Sequence, residues 1–315
     1  MLLAYPAHTA EHWTQACLEP PPSSLAARDP RATVVLIIDD LGHQLRNGMA
    51  MVELPGKLNL AVLPHTPHGR HLAEAGYAAG KEIMLHAPMS NHGGIALGQG
   101  GLTASLSREE FDHALSAAIE DIPHLRGINN HMGSELTEMP LQMGWVMQQL
   151  LMRELYFVDS RTTVNTVAAK TAAQFSVPHL SRTVFLDNER NAEAIGRHFD
   201  KLLALAEERG LAVGIGHPYL ETSDFLREAI PAMACRGVAL ALVSEVLQEA
   251  EPDGLPPQNR YDPASEPDVD AALGHIGLGL GHAVFPKVKN AGREHRVGAA
   301  KRDALNQVVE VPNAT

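Results

Sequence analysis

Histidine and aspartate side chains recur where short apolar runs of this chain end. Imidazole and carboxylate groups are the preferred ligands of Zn²⁺ and similar ions, and they also serve as general acids and bases. The chain has two cysteines, at positions too far apart for a CxxC motif, so any metal would be held by histidines and carboxylates. The pattern predicts a divalent-metal site, with zinc as the first candidate. The residues concerned are Asp39, Asp40, His86, His131, Asp159, Ser160 and His217.

The adjacent residues Asp39 and Asp40 predict two separate tasks. Successive side chains of a strand point to opposite sides, so we expect one carboxylate to ligate the metal and its neighbour to act as a base. A metal with three protein ligands keeps a position open for water and lowers the pKa of that water. A histidine on the opposite side of the site would protonate a leaving group. This chemistry is metal-dependent hydrolysis.

The elements that would position these residues alternate along the chain. Eight apolar runs predict strands buried on both faces, and helical patterns lie between them. The clearest helices cover 107–122, where Ser107 and Glu110 form a capping-box pattern, and 191–210, which ends at Gly210. This alternation predicts an α/β fold, a (β/α) barrel of seven or eight mostly parallel strands, with a doubly wound open sheet as the alternative. The predicted strands are 33–40, 58–64, 82–88, 127–133, 156–160, 179–186, 211–218 and 238–245.

Composition divides the chain into three parts and excludes some partners. Residues 1–30 are predicted to be a tail or linker, 31–250 the catalytic domain, and 251–315 a disordered Pro- and Gly-rich tail. The formal net charge is −12, which argues against nucleic-acid binding. The sequence contains no run of 18 apolar residues, so no membrane span is predicted. The first residues lack the pattern of a secretory signal.

Five motifs together resemble those of the divergent polysaccharide deacetylases, relatives of the NodB-like carbohydrate esterases. The resemblance covers about residues 31–248 and implies a distorted (β/α) barrel of the NodB type. It also implies metal-dependent removal of acetyl groups from a glycan, so that the expected partner is an acetylated glycan or a similar acylated substrate. The motifs are VLIIDDLG, GKEIMLHAPM, GINNHMGS, YFVDSRT and VGIGHP.

The resemblance also implies roles for the first two motifs. It places Asp39 in the position of the base and Asp40 in that of a metal ligand. His86 takes the position of the first metal-binding histidine. The second histidine of the family pattern is missing, since Met89 and Ser90 stand there.

His131 follows the next predicted strand and is the expected replacement as third metal ligand. The late family motif implies that His217 is the general acid. Asp159 is expected to orient His217 or His131 and is also a candidate for substrate binding, and Asn130 and Ser160 are expected to bind sugar hydroxyls.

Other assignments stay open at this stage. His68, in the segment LPHTPHGRH, is a further candidate for substrate binding. A non-catalytic carbohydrate-binding or cell-envelope protein on the same fold is the alternative function, and a metal-dependent amidohydrolase acting on a non-sugar amide is another. The family resemblance suggests export to the periplasm or beyond, whereas no signal sequence is visible, so the location is undecided.

Overall fold

The computed structural model of the protein describes residues 32–249, and the predicted tails at 1–30 and 251–315 lie outside this range. Strands and helices alternate through the described part. The strands are β1 (Ala32–Leu41), β2 (Asn59–Val62), β3 (Glu82–Met89), β4 (Leu125–Met132), β5 (Tyr156–Asp159), β6 (His179–Ser181), β7 (Val184–Phe185), β8 (Leu211–Gly216) and β9 (Val238–Ala241). The helices are α1 (Leu45–Val52), α2 (Gly69–Ala78), α3 (Arg108–Asp121), α4 (Pro140–Met152), α5 (Ala168–Gln174), α6 (Ala192–Arg209), α7 (Leu220–Cys235) and α8 (Val243–Glu249).

All strand pairs in the described range are parallel, and they form one curled sheet. Its order is β6-β5-β4-β3-β2-β1-β8-β7. β9 pairs with the first half of β1 along the edge opposite β8, and β2 pairs with the second half of that edge. The strands at the two edges, β6 and β7, are neighbours in the sequence. The architecture is a distorted, partly open (β/α) barrel, which confirms the predicted fold class.

The long apolar run of β1 is explained by burial on both faces. Val35 and Ile37 belong to one hydrophobic cluster, and Val34, Leu36 and Ile38 belong to the other. The smaller cluster contains alternate residues of β2, β3, β5 and β8, and the larger one joins the sheet to the helices. Because neighbouring side chains of a strand point to opposite faces, both sets are buried at the same time.

Two of the predicted strands differ from the structure, because one run is divided into two strands and another ends early. The run 179–186 is divided into β6 and β7, because Arg182 donates its backbone N–H to Asp159 on one side and Thr183 donates to Val213 on the other. The run 238–245 stops at Ala241, and α8 begins two residues later. Buried carboxylate and amide groups from other strands accept the first N–H groups of α8, namely Asn59 for Val243 and Glu82 for Ser244.

The two clearest predicted helices are confirmed. Ser107 and Glu110 form a complete capping box at the start of α3. Asn191 caps α6, and Gly210 ends it in a left-handed conformation with a φ of 83°. Among the helices between residues 32 and 249, none combines the length and the apolar character that a membrane crossing requires.

Candidate metal centre

The end of β1 carries the two aspartates on an irregular piece of backbone. The register between β1 and β2 shifts between Ile38 and Leu41, and Asp40 has a φ of 57°. Both carboxylates therefore reach the same imidazole. Asp39 Oδ1 lies 3.7 Å from His86 Nδ1, and Asp40 Oδ1 lies 3.2 Å from His86 Nε2. Asp39 thus contacts one ring nitrogen from the buried side, and Asp40, which is partly exposed, contacts the other.

Three potential ligand atoms converge above this bulge. Asp40 Oδ1 lies 2.8 Å from His131 Nδ1 and 3.2 Å from His86 Nε2, and the two ring nitrogens are 3.1 Å apart. Ligands at about 2.0–2.1 Å from a zinc ion are separated by about 3.3 Å in tetrahedral and about 2.9 Å in octahedral geometry. The three atoms thus have the spacing of a ligand set, and among the residues described these three form a group suited to a metal ion.

The state of Asp40 also fits a cation. Its Oδ1 is buried and faces His131 Nδ1 at 2.8 Å and His86 Nε2 at 3.2 Å. A buried carboxylate oxygen is costly unless a positive charge or hydrogen bonds compensate it, and a cation held among these three atoms would do so. The residues present therefore fit a divalent ion.

Asn129 sets the orientation of His86. The Asn129 side-chain amide donates to Asp39 Oδ1 at 2.7 Å and faces Ser160 Oγ at 3.3 Å, which leaves Asn129 Oδ1 as an acceptor. His86 Nδ1 lies 2.8 Å from that oxygen and must be the donor. The Nε2 lone pair of His86 is then directed to the cluster of ligand atoms formed with Asp40 and His131, as a metal ligand requires.

The pKa values of Asp39, Asp40 and His86 depend on one another. Burial raises the pKa of Asp39, and the nearby His86, His217 and Asn129 offset only part of this effect. Burial would also raise the pKa of Asp40, but the contacts with His131 and His86 outweigh it and hold the pKa well below its usual range. The pKa of His86 is raised above its usual value. Burial lowers this pKa, but the effect of Asp39 and Asp40 outweighs that of burial.

His217 lies opposite the cluster and is held by Asp187. His217 Nδ1 is 2.8 Å from Asp187 Oδ1, and the backbone N–H of His217 donates to Asp187 Oδ2 at 2.6 Å. Its Nε2 lies 4.0 Å from Asp40 Oδ2. Burial lowers the pKa of His217, but the hydrogen bond and the charge of Asp187 raise it to about 9.

Two aromatic rings lie against the same imidazole. The Phe185 ring is stacked on it with the centroids 6.1 Å apart, and the Tyr219 ring lies at 5.6 Å. The orienting carboxylate was expected to be Asp159, whereas the residue bonded to His217 is Asp187. Asp159 accepts from the Arg161 N–H and the Thr166 hydroxyl and thereby shapes its own loop.

The other predicted substrate-binding residues occupy structural positions. Asn130 is buried, donates to the Met132 carbonyl and accepts the Ser160 N–H. Ser160 and Asp159 are each 1% exposed. These contacts favour positioning roles for all three, and their binding of sugar hydroxyls stays a prediction.

A cleft of about 540 Å³ opens over the cluster. Asp40 and His131 lie in its lining, and loops after β1, β2, β3, β7 and β8 form its walls. His68 is not among the lining residues, because it precedes α2 and donates its backbone N–H to the Gly42 carbonyl. From the same histidine-rich segment it is His65 that borders the cleft.

Two residues of the centre were missed from the sequence. Asp187 directly follows the run 179–186 and so stands at a strand end like the other polar residues, which is the signal that could have identified it. Asn129 lies within the motif GINNHMGS, but its bonds to His86 and Asp39 depend on the register between β3 and β4, which pairs His86 with Asn129.

Two curated relatives are similar to the chain over most of their length. The uncharacterized protein YibQ of Escherichia coli (strain K12) is 33% identical over 227 residues, covering 72% of this chain and 71% of the relative. An uncharacterized protein of Haemophilus influenzae (strain ATCC 51907 / DSM 11121 / KW20 / Rd) is 30% identical over 200 residues, covering 64% of this chain and 71% of the relative.

A solved structure has the same fold. The crystal structure of the uncharacterized protein ATU2773 from Agrobacterium tumefaciens C58 aligns with a TM-score of 0.67 and 22% identity, covering 75% of this chain and 94% of that one. The sequence pattern of the divergent polysaccharide deacetylases matches residues 36–247, which includes every strand end that carries the centre. The chain therefore belongs to the divergent polysaccharide deacetylase family.

Proposed function

We propose that the protein is a metal-dependent hydrolase that removes acetyl groups from a glycan. The observation that carries the proposal is the convergence of Asp40, His86 and His131 at one point of the cleft, with Asp39 and His217 beside them. Membership of the deacetylase family supports the acetylated carbohydrate as the substrate class. A pure binding protein would have no need of a second carboxylate beside a ligand set.

Asp40, His86 and His131 would hold a divalent ion, with zinc as the first candidate. Such an ion supplies a Lewis acid for the acetyl carbonyl and lowers the pKa of water. Asn129 contributes by keeping the His86 Nε2 lone pair available. The unusual feature of this ligand set is His131, which comes from β4 and replaces the second histidine of the usual family motif.

Asp39 is the proposed general base. Its raised pKa makes it a better proton acceptor than an exposed carboxylate, while Asn129 fixes its position. It takes one proton from the attacking water as the new C–O bond forms on the acetyl carbon.

His217 is the proposed general acid. With a pKa of about 9 it is protonated at neutral pH, and Asp187 keeps Nδ1 engaged so that Nε2 faces the site. Nε2 donates its proton to the leaving nitrogen or oxygen as the bond to the acetyl carbon breaks. The proton on Asp39 then restores His217, so one water is consumed for each acetate and each freed amine or hydroxyl.

Metal content of the purified chain is the first test. Elemental mass spectrometry should find about one equivalent of a divalent metal in the wild type and little in His131→Ala. His113→Ala, which removes an exposed histidine of α3, is the matched control and should keep the metal. The absence of metal after incubation with zinc, cobalt, nickel and manganese would contradict the proposal.

Acetate release is the second test. N-acetylated chitooligosaccharides, O-acetylated xylan fragments and small N-acetyl amides would be compared with the metal-loaded protein. We expect turnover of a glycan that is lost in Asp39→Asn, while the small amides stay inert. Metal binding without any acetate release would favour the non-catalytic binding protein, and turnover of the small amides alone would favour the amidohydrolase.

A further inference from the structure

The cleft carries an unusual set of charges for a protein with a net charge of −12. Among the described residues that line it, Asp40 is the one carboxylate, and its charge faces two imidazoles. The remaining ionisable groups are Arg190, the phenol of Tyr219 and the imidazoles of His43, His65 and His131. Among them Arg190 carries a permanent positive charge, against the sign of the whole chain.

Arg190 is fixed over an aromatic ring at the side of the proposed acid. Its guanidinium carbon lies 3.9 Å from the centre of the Tyr219 ring, and the other neighbour of that ring is His217. Stacking of this kind limits the motion of the long side chain while the edge of the guanidinium stays free. The ion pair with Glu221 is long, at 3.8 Å, and both side chains are about half exposed, so it is weak.

The same arrangement places a cation on an aromatic ring of the cleft. Tyr219 is the single phenol or phenyl ring in the described lining, and Arg190 and His217 lie against it. A sugar ring in this cleft would meet a guanidinium where an aromatic platform would otherwise be. The planar guanidinium matches a carboxylate, because it can donate two parallel hydrogen bonds.

We infer that the cleft selects an acetylated sugar that bears a carboxylate, and that Arg190 binds this carboxylate. The inference rests on the proposed function and adds the acidic character of the substrate. Arg190 is a specificity residue in this scheme and takes no part in proton transfer. The loop between β7 and α6 would then serve two purposes, since Asp187 holds the acid and Arg190 holds the substrate.

The test compares two ligands that differ in one charge. The probes are an N-acetylated glucosamine disaccharide with a 3-O-lactyl carboxylate and the same disaccharide as its carboxamide. Calorimetric titration of the metal-loaded full chain should give at least tenfold tighter binding of the carboxylate at low salt. The preference should shrink as salt rises, because part of the Arg190 contact is exposed.

Variants assign the preference to the residue. Arg190→Gln should reduce the carboxylate-to-carboxamide ratio to near one with unchanged affinity for the carboxamide, and Arg190→Lys should keep part of it. Arg197→Gln removes an exposed arginine of α6 outside the cleft and should keep the full ratio. Equal affinities in the wild type, no measurable binding of either probe, or a ratio that survives in Arg190→Gln would overturn the inference.

Acetate release measured in parallel separates this inference from the proposed function. A carboxylate preference without any acetate release would contradict hydrolysis and leave the charge selection standing. Release from both probes at equal efficiency would support hydrolysis and contradict the role of Arg190.

Discussion

Asn129 is one neutral side chain that orients a ligand of the candidate metal site. Its amide group has a donor side and an acceptor side, and a carboxylate and an imidazole lie against them in the buried floor of the cleft. If the amide were reversed, its oxygen would face Asp39 Oδ1 without a hydrogen bond, and its NH2 group would donate to His86 Nδ1 and leave the ring proton on Nε2. The orientation of the amide thus determines which nitrogen of His86 is free.

Asn129→Leu should weaken metal binding about 10- to 100-fold, the usual effect of removing a residue that orients a ligand. The leucine has a similar volume but can neither accept from His86 nor donate to Asp39. Competition with a fluorescent chelator would measure the affinity, and circular dichroism would confirm folding. Asn165→Leu, in an exposed loop, is the control and should bind as the wild type. An unchanged affinity in Asn129→Leu would show that the tautomer of His86 is set by something else.

Asp187→Asn should lower the pKa of His217 from about 9 towards its ordinary value, because the negative charge that stabilises the imidazolium is removed. The alkaline limb of the pH–rate profile should move to lower pH by about one unit or more. NMR titration of the His217 ring reports the same pKa without turnover. Asp224→Asn, at an exposed position of α7, should leave it unchanged.

The raised pKa of His217 also determines how the stability of the fold depends on pH. The folded-state pKa of His217 lies above the ordinary value of about 6.5. The stabilisation by this group is therefore fully present at pH values below about 6.5. The stabilisation is lost as the pH rises through about 9. In Asp187→Asn the loss should be smaller, and chemical denaturation at several pH values would measure the difference.

At the scale of elements, the end of β1 is the part on which the centre depends most. The bulge brings two consecutive carboxylates to one imidazole, and Gly42 follows with a φ of 132°. A Cβ at Gly42 would lie 2.1 Å from Thr66 Oγ1, in the loop after β2. The backbone conformation at position 42, just after the two aspartates, therefore requires glycine.

Gly42→Ala should destabilise the protein by about 2 kcal/mol or more and weaken metal binding, because Thr66 must move and the backbone is strained. Gly80→Ala is the matched control, since Gly80 also has a positive φ, of 75°, but no atom within 4 Å of the added Cβ. We expect about 1 kcal/mol there and normal metal affinity. Urea denaturation and metal titration of both variants would distinguish strain alone from displacement of the bulge.

The start of α3 offers a simpler test of an element. Ser107→Ala removes the side chain that accepts from the Glu110 N–H and should cost about 1 kcal/mol of unfolding free energy. Ser105→Ala, two residues earlier and exposed, should change it by less than about 0.5 kcal/mol. Urea denaturation would compare them. Equal losses in the two variants would contradict the capping role.

At the scale of the whole molecule, the proposed ligands connect distant parts of the sheet. Asp40, His86 and His131 lie near the carboxyl ends of β1, β3 and β4, so a bound ion would join strands on both sides of β2. Metal removal by a chelator should lower the melting temperature, and zinc at 100 times its dissociation constant should add about 2.7 kcal/mol of stability. Calorimetric melts would show this. A wild type that melts equally with and without metal would contradict it, and His131→Ala should not respond.

Much of this organisation could be predicted from the sequence. Apolar runs identified the strands because β1 and its neighbours are buried on both faces, and the capping pattern of Ser107 located α3. The strand ends pointed to Asp40, His86 and His131 as neighbours. What the pattern could not predict depends on tertiary contacts. The bulge at Asp40 needs β2 as its partner, and α8 starts within an apolar run because Asn59 and Glu82 accept its first N–H groups.

The walls of the cleft and its floor come from different parts of the chain. The proposed ligands and base lie at the ends of β1, β3 and β4, and the proposed acid follows β8. Much of the wall is instead formed by 63–66 after β2 and by 96–99, well beyond His86. Mutations in these wall segments alter what fits without touching the groups that react. Over evolutionary time, relatives can therefore diverge in the molecule they accept while they inherit one chemistry, and an engineer could exchange the two segments for the same purpose.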